Sequence, residues 1–452
     1  MRNHKLSLVL FAALSALFLA CAIPVLAANT EQVLYSFCFL SGCTDGLQPA
    51  GDLIFDADGN LYGATTGGGA YGYGTAFELT PGADGAWTEA VLYSFRPNSG
   101  CGDRAYPIGG LIFDTAGNLY GTTADGGSNG PTCAPTSGCG TVFELAPAGN
   151  GTWTERVLHT FHDNGKDGFE PAPGLIFDAA GNLYGATSRG GSGKGVCGVN
   201  GCGTVFKLKP NTNGTWTETV LHTFCHVKNC AGDGVEPMAG LILGAGGSLY
   251  GTTDLGGAPS KHCNLDCGIV FQLTPGTNGK WSEKVLHSFN GDNGRNPQAR
   301  LILDAKGNLY GTTETIGTVF ELSKPVKGAW TEKVLHRFGT GTDGVNPSAS
   351  LIFDAVGNLY GTTFGGGASS CPPNGAGCGI VFQLSPQSNG KWTENILHDF
   401  QSNGQDGTRP HAGIIFDTAG NLYSTTGGGG TGPCENSLGE VVGCGTVFEI
   451  TP

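Results

Sequence analysis

The sequence is poor in charged side chains and, beyond its first residues, in long apolar runs. Asp, Glu, Lys and Arg make up 13% of the 452 residues, about half the share of an ordinary globular protein. Only 23 Lys and Arg stand against 37 Asp and Glu, and no basic cluster follows the first few residues. The chain therefore lacks the positive charge that neutralises nucleic-acid phosphates, and we expect no nucleic-acid partner.

Long helices are excluded by composition. The chain contains 80 Gly and 23 Pro, the two residues that most often interrupt regular structure. The glycines have no three-residue period, which excludes collagen, and a hydrophobic share of 39% excludes a disordered chain. A globular protein built from short elements remains.

The first 27 residues have the features of an export signal. A basic start precedes an apolar stretch from Leu6 to Leu26, and small residues lead to Ala27. We expect cleavage after Ala27, which leaves residues 28–452 as one domain, secreted or periplasmic, with no membrane span. Two alternatives stay open, an uncleaved membrane anchor and a lipoprotein attached through Cys21.

One sequence unit recurs along the whole mature chain. Its ideal form is LIFDAAGNLYGTT, then GTVFEL, then WTEKVLHSF, and the period of about 60 residues is typical of a solenoid, propeller or array. The seven copies begin at Leu53, Leu111, Leu175, Leu241, Leu301, Leu351 and Ile414.

Each copy predicts four antiparallel strands, which we label A to D. LIFD and NLYGTT are short β-branched and aromatic runs joined by an Asp-x-x-Gly-Asn turn. GTVFEL and WTExVLHxF supply the third and fourth strands. Four antiparallel strands per unit describe a propeller blade, so we predict an all-β, seven-bladed β-propeller.

The two ends of the repeat array predict how the ring closes. The seventh copy lacks its WTExVLHxF strand, whereas residues 30–37 match that strand. We expect the N-terminal strand to pair with the third strand of the C-terminal blade, which removes strand edges that would favour aggregation.

The sequence motifs of the repeat resemble those of the GloVer-type tandem repeat proteins of bacteria, a family with a variable choice of C-terminal anchor. The resemblance covers residues 30 to 452 and implies a repeat propeller, but it supplies no catalytic residues. We expect no appended anchor here, because Thr451 and Pro452 directly follow a strand-like segment.

All cysteines after Cys21 fall in connections on one predicted face. This loop face carries the connections between strands B and C and those between strand D and the next strand A. In an exported protein such close pairs are expected to form disulfides, each worth about 2 kcal/mol, with Cys101 left unpaired. The seven expected pairs are Cys38–Cys43, Cys133–Cys139, Cys197–Cys202, Cys225–Cys230, Cys263–Cys267, Cys371–Cys378 and Cys434–Cys444.

Recurring polar residues are interpreted as structural. The histidines of the fourth strands are replaced by Tyr35 and Tyr93 in two copies, which favours a hydrogen-bonding role. One Asp-x-x-Gly-Asn turn offers too few oxygens for calcium, and the recurring Trp is expected to pack between blades. We therefore expect no catalytic residue, cofactor or metal ion. The histidines are His159, His222, His287, His336 and His398.

Residues that differ between blades are better candidates for a ligand site. A mixed polar set near the prolines that lead into the inner strands is expected to line the mouth of the central channel. The fifth blade has only residues 314–316 between its second and third strands, and this notch is the expected ligand entrance. The candidate ligand-binding residues are Asp52, Tyr106, Glu170, Glu236, Arg295, Arg300, Arg409 and His411.

These features predict a secreted, monomeric, non-catalytic binding or scaffold propeller that recognises an extracellular glycan or protein through its loop face. The alternative is a carbohydrate-active hydrolase or lyase at the channel mouth, which would need paired carboxylates such as Glu170 and Glu236. A purely structural role in the cell envelope would leave no polar pocket.

Overall fold

The structure is a computed structural model in which strands dominate the described residues. In the described ranges, three short 3-10 turns accompany the strands: Ser41–Cys43, Gly198–Asn200 and Ala245–Gly247. Within the described part of the chain, no helix has the length and hydrophobicity to cross a bilayer. The expected signal peptide, Cys101 and Cys133 lie outside it. The described residues are 30–96, 106–127, 138–149, 151–192, 197–225, 230, 232–263, 267–339, 341–372, 375 and 377–452.

The strands form seven blades, each an antiparallel sheet whose strands run from A at the centre of the ring to D at its outside. The first strand, β1 (Thr30–Ser36), belongs to blade 7. Blade 1 consists of β2 (Leu47–Phe55), β3 (Leu61–Gly67), β4 (Thr75–Pro81) and β5 (Trp87–Ser94). Blade 2 consists of β6 (Pro107–Phe113), β7 (Leu119–Thr123), β8 (Thr141–Gly149) and β9 (Thr152–Thr160).

In later blades strand A is often split into two pieces. Blade 3 consists of β10 (Gly168–Pro171), β11 (Ile176–Phe177), β12 (Leu183–Gly190), β13 (Thr204–Pro210) and β14 (Trp216–Thr223). Blade 4 consists of β15 (Gly234–Val235), β16 (Ile242–Leu243), β17 (Leu249–Thr253), β18 (Leu255–Gly256), β19 (Ile269–Pro275) and β20 (Trp281–Ser288). Blade 5 consists of β21 (Ile302–Leu303), β22 (Leu309–Thr313), β23 (Thr318–Ser323) and β24 (Thr331–Arg337).

The last two blades follow the same plan. Blade 6 consists of β25 (Gly344–Val345), β26 (Ile352–Phe353), β27 (Leu359–Thr363), β28 (Gly365–Gly366), β29 (Ile380–Pro386) and β30 (Trp392–Asp399). Blade 7 consists of β31 (Gly407–Pro410), β32 (Ile415–Phe416), β33 (Leu422–Gly429), β34 (Thr446–Thr451) and β1. The predicted fold is confirmed.

Ring closure follows the prediction. Strand β1 pairs antiparallel with β34, from Thr30 opposite Thr451 to Ser36 opposite Thr446. Beyond the strand, the Phe37 N–H donates to the Gly445 carbonyl at 3.0 Å. The two ends of the described chain thus complete one blade.

The turn between strands A and B is held by its own aspartate. In blade 1, Asp56 Oδ1 accepts the N–H groups of Asp58 and Asn60, each at 2.9 Å, while Oδ2 accepts Asn60 Nδ2 and the Tyr62 hydroxyl at 2.8 and 3.1 Å. Partial burial raises the pKa of Asp56, but these hydrogen bonds outweigh it and hold the pKa below its usual value. The same bonds recur at Asp114, Asp178, Asp304, Asp354 and Asp417.

The core lies between neighbouring blades. One cluster joins Leu34 and Phe37 of blade 7 to Leu61 and Phe77 of blade 1, all with 8% exposure or less. The outer Trp87 of blade 1 packs against Tyr423 of blade 7, with ring centroids 6.2 Å apart. The recurring Trp therefore contributes to packing between blades, as predicted.

Disulfides join cysteines on the loop face. Six of the predicted pairs are bonded, and Cys139 is also disulfide-bonded, whereas its predicted partner Cys133 lies outside the described residues. These bonds connect the ends of short connections next to the channel mouth. The six pairs are Cys38–Cys43, Cys197–Cys202, Cys225–Cys230, Cys263–Cys267, Cys371–Cys378 and Cys434–Cys444.

Candidate ligand-binding site

Each blade has, near the start of strand A, one residue in the left-handed backbone region directly before a proline. These seven rim residues have φ between 34° and 58°, which is uncommon for residues other than glycine and is further restricted by a following proline. The backbone conformation is shared by all seven blades while the side chain varies, which makes this position a candidate for a ligand site. The rim residues are Gln48, Tyr106, Glu170, Glu236, Asn296, Asn346 and Arg409.

Backbone hydrogen bonds hold the rim conformation. The Glu236 N–H donates to the Cys202 carbonyl at 3.0 Å, and the Glu236 carbonyl accepts the Asp254 N–H at 2.9 Å. The N–H of Glu170 donates in the same way to Cys139, at 3.0 Å. Disulfide-bonded cysteines of the preceding blade thus help to position the rim.

Sequence reasoning found four rim residues and missed three, Gln48, Asn296 and Asn346. Each missed residue immediately precedes the proline that enters strand A. Aligning all seven X-Pro pairs would have found them.

An arc of four carboxylates crosses blades 3 to 5 beside the rim. We call Glu170, Glu236, Asp254 and Glu314 the acidic arc. Glu170 Oε1 accepts from Arg189 Nη1 at 3.0 Å. Burial raises the pKa of Glu236, Arg189 partly opposes this, and the negative charges of Asp254 and Glu170 add to it.

The blade 5 end of the arc is also partly buried. Burial raises the pKa of Asp254, although Gln298 Nε2 donates to its Oδ1 at 3.0 Å. Burial and then the charge of Asp254 raise the pKa of Glu314. Glu314 starts the short connection that was expected to form a notch, so one end of the arc lies where we predicted the ligand entrance.

An ion pair crosses the axis of the ring below the rim. Arg300 of blade 5 donates from Nη2 to Asp52 Oδ2 of blade 1 at 3.2 Å. Blades 1 and 5 are not neighbours, so the pair spans the channel. The N–H of Gly413 in blade 7 donates to Asp52 Oδ1 at 2.6 Å.

Close packing of inner strands narrows the channel at the same level. A Cβ on Gly51, which has φ +81°, would lie 2.0 Å from the backbone of Gly109. Only glycine allows the inner strands of blades 1 and 2 to approach so closely. Asp52 and Arg300, predicted to lie at the rim, instead form a floor beneath it.

Arg409 and His411 occupy the side of the rim opposite the acidic arc. The Arg409 guanidinium lies over the Phe364 ring, 6.0 Å from its centroid, and donates to the Pro372 carbonyl. The His411 Nδ1 lies 3.2 Å from the Arg409 carbonyl. Burial lowers the pKa of His411, and the Arg409 carbonyl and Asp52 oppose this shift.

The remaining candidates, Tyr106 and Arg295, differ in position. The Tyr106 ring packs edge-on against Tyr73, with centroids 5.9 Å apart, and contributes an aromatic surface to the rim. Arg295 pairs through its backbone with Thr315, and its buried Nε has no hydrogen-bond partner. Arg295 therefore lies beside the rim, and Asn296 occupies the rim position of blade 5.

The loop face also exposes apolar side chains. Phe39 and Leu40 are 76% and 47% exposed and line a cleft of about 630 Å³ together with Thr431 and Pro433. Of the thirteen large hydrophobic residues exposed in the described ranges, eight lie in loop-face connections. These are Phe39, Leu40, Tyr71, Val199, Ile316, Phe364, Leu438 and Val441.

The repeats match those of a recognised family. The sequence profile of the Gloeobacter/Verrucomicrobia repeat matches residues 25–262, 132–371 and 260–452, so the chain belongs to this family. No curated protein matches the sequence significantly.

Solved structures share the propeller fold at low sequence identity. A Lactobacillus plantarum protein is 15% identical with a TM-score of 0.52, over 87% of this chain and 99% of its own. A fungal alcohol oxidase in complex with copper is 14% identical with a TM-score of 0.50, over 94% of this chain and 77% of its own. A Bacteroides uniformis protein named for 6-phosphogluconolactonase is 14% identical with a TM-score of 0.49, over 87% and 98%.

Proposed function

We propose that this member of the Gloeobacter/Verrucomicrobia repeat family is an exported, monomeric binding propeller that recognises an extracellular glycan at its rim without converting it. The single observation that carries the proposal is the rim itself. Seven side chains of different chemistry occupy one repeated backbone position around the axis.

The chemistry of the rim suits a sugar. Amide groups at Gln48, Asn296 and Asn346 both donate and accept hydrogen bonds, as sugar hydroxyl groups do. The carboxylates of the acidic arc add acceptors, and the ring of Tyr106 adds an apolar face. In this proposal the Asp52–Arg300 pair crosses the channel beneath the rim, so the glycan binds from the loop face.

Export is supported by the disulfides. Six described bonds among short connections are typical of proteins that fold in an oxidising compartment. An extracellular or periplasmic site of action also gives access to cell-wall and environmental polysaccharides.

One observation favours a second candidate, a glycoside hydrolase at the same rim. Glu170 is ion-paired with Arg189, whereas burial raises the pKa of Glu236 nearby. The charge of Glu170 also acts on Glu236, and a pair of neighbouring carboxyl groups is what a glycoside hydrolase uses as general acid and as base or nucleophile.

The test is co-sedimentation of the mature protein with insoluble cellulose, chitin, xylan and cell-wall sacculi, with assay of soluble sugar in each supernatant. The rim variant is Glu170→Asn combined with Glu236→Asn, because blades 5 and 6 already carry Asn at this strained position. Lys306→Asn, on the opposite face, is the matched control.

We expect at least one polysaccharide to bind without sugar release, and the double variant to bind at least tenfold more weakly while the control is unchanged. Sugar release that Glu236→Gln abolishes would replace the binding function with hydrolysis. Absence of binding to every polysaccharide would overturn the glycan proposal and favour a protein ligand.

A further inference from the structure

A second set of polar residues recurs at the boundaries between blades, away from the rim. At the boundary of blades 5 and 6, His336 of strand D faces Asp343 of the following connection and Glu394 of the next strand D. His336 Nε2 lies 3.5 Å from Asp343 Oδ1 and 3.8 Å from Glu394 Oε1. The three residues come from two adjacent blades.

The same triad recurs at other boundaries. The triads His336–Asp343–Glu394, His222–Asp233–Glu283 and His398–Asp406–Glu31 each bring one imidazole nitrogen and two carboxylate oxygens within 4.8 Å of one another. The boundary of blades 2 and 3 has the same residue types, His159, Asp167 and Glu218, with His159 Nε2 3.3 Å from Asp167 Oδ2.

Around His336 the distances fit a shared cation better than direct hydrogen bonds, whereas His398 Nε2 lies 3.1 Å from Asp406 Oδ2, within hydrogen-bond range. Separations of 3.5 and 3.8 Å around His336 exceed the normal range of a hydrogen bond. Tetrahedral zinc with bonds of about 2.0–2.1 Å separates its ligand atoms by about 3.4 Å. A shift of a few tenths of an ångström would bring both His336 distances to that value.

Several ligand atoms are buried and have no hydrogen-bond partner, whereas the aspartate oxygens accept backbone N–H groups, as Asp343 Oδ1 does from Gly344 at 2.8 Å. His336 Nε2 and Glu394 Oε1 are inaccessible to solvent and have no hydrogen-bond partner. In two other triads, Glu31 Oε1 and Glu283 Oε1 are likewise inaccessible and without a hydrogen-bond partner. Two partly buried carboxyl groups close to each other repel when both are ionised, and a cation between them removes that repulsion.

At two other boundaries between blades, one residue of the triad is replaced by a different residue type. At the boundary of blades 4 and 5, Asn293 replaces the aspartate and its Nδ2 lies 2.9 Å from His287 Nε2. At the boundary of blades 7 and 1, Tyr35 replaces the histidine and its hydroxyl donates to Asp45 Oδ2 at 2.9 Å. In both, a direct hydrogen bond closes the space between the groups.

We propose that the His–Asp–Glu triads between blades bind first-row divalent cations, with zinc the best match, and that each ion clamps two adjacent blades. Imidazole nitrogen together with carboxylate oxygen is a set that zinc accepts in proteins, with water in the fourth position. At each boundary that has a complete triad, the clamp adds to the core a bond between the two blades.

The test uses the full mature protein, treated with iodoacetamide so that free thiols bind no metal, then stripped with a chelator and equilibrated with zinc chloride. Bound zinc is measured by elemental analysis and the melting temperature by circular dichroism. We expect three to four zinc ions per chain and a higher melting temperature with zinc.

Two reciprocal variants supply the control. Asp343→Asn copies the boundary of blades 4 and 5 and should lose one zinc ion, whereas Asn293→Asp completes the triad with His287 and Glu332 and should gain one. Binding of less than one zinc ion per chain would overturn the proposal. Unchanged stoichiometry in Asn293→Asp would also overturn it, even if Asp343→Asn failed to fold.

Discussion

The closing strand β1 offers a sharp test of the ring, through Phe37→Ala. The Phe37 side chain is completely buried, and its ring meets Phe77 of blade 1 edge-on with centroids 5.0 Å apart. Truncating a fully buried Phe costs about 3–5 kcal/mol of unfolding free energy. In addition, β1 is held to blade 7 by its pairing with β34 and by this packing. Detachment of β1 would expose the edge of β34.

The matched control is Phe289→Ala in blade 4. Phe289 is equally buried, its ring lies 5.1 Å from that of Phe320, and its N–H donates to the Gly268 carbonyl at 3.0 Å. The control should lose a similar free energy, but its strand β20 continues into the chain on both sides and stays in place.

The assays are urea unfolding, limited proteolysis of the N-terminal segment and light scattering. Only Phe37→Ala should be cleaved early before Phe37 and should aggregate, and a truncation that lacks residues 30–37 should do the same. If the truncated protein melts like the full one and stays monomeric, the closure argument is refuted.

Two further predictions concern protonation and disulfides. Burial and then Asp45 raise the pKa of Glu89 from 4.5 to about 8, so its contribution to stability is present below pH 4.5 and is lost as pH rises through 8. Glu89→Gln should therefore match the wild type at pH 5 and melt at a higher temperature than it at pH 9; equal melting temperatures at both pH values would contradict this. Non-reducing peptide mapping should find seven local bridges with Cys101 alkylated, and recovery of fourteen free thiols would contradict export through an oxidising compartment.

Much of the fold could be predicted because the same strand and turn motifs occur in seven copies along the sequence. The Asp-x-x-Gly-Asn motifs predicted the turns between strands A and B. Residues 30–37 match the strand that the seventh copy lacks, and they predicted the closing strand. Cysteine spacing, together with the expected export, predicted the six described bridges, since each pair flanks one short connection.

The site was harder to predict because it depends on backbone conformation and on distance across the ring. Tyr, Glu and Arg rarely adopt positive φ, so Tyr106, Glu170 and Arg409 gave no local signal of their conformation. The Asp52–Arg300 contact joins residues 248 positions apart and requires the inner strands to meet.

The blade-boundary triads were missed for a similar reason. The sequence placed His336 and Glu394 on separate outer strands, which is correct, but it gave no indication that neighbouring strands D bring them to 3.8 Å. A histidine that seemed isolated in its own repeat has a carboxylate from the next repeat as its neighbour.

Under the proposed binding function, the rim separates the side chains that would contact a ligand from the backbone features that keep the protein folded. Proline and the neighbouring backbone dictate the conformation at each rim position, whereas Gln, Tyr, Glu, Asn and Arg are all accepted there. A single codon change can therefore alter one of seven contact points without a compensating change elsewhere. Duplicated copies of such a gene could diverge in specificity through seven nearly independent substitutions, at little risk to the ring.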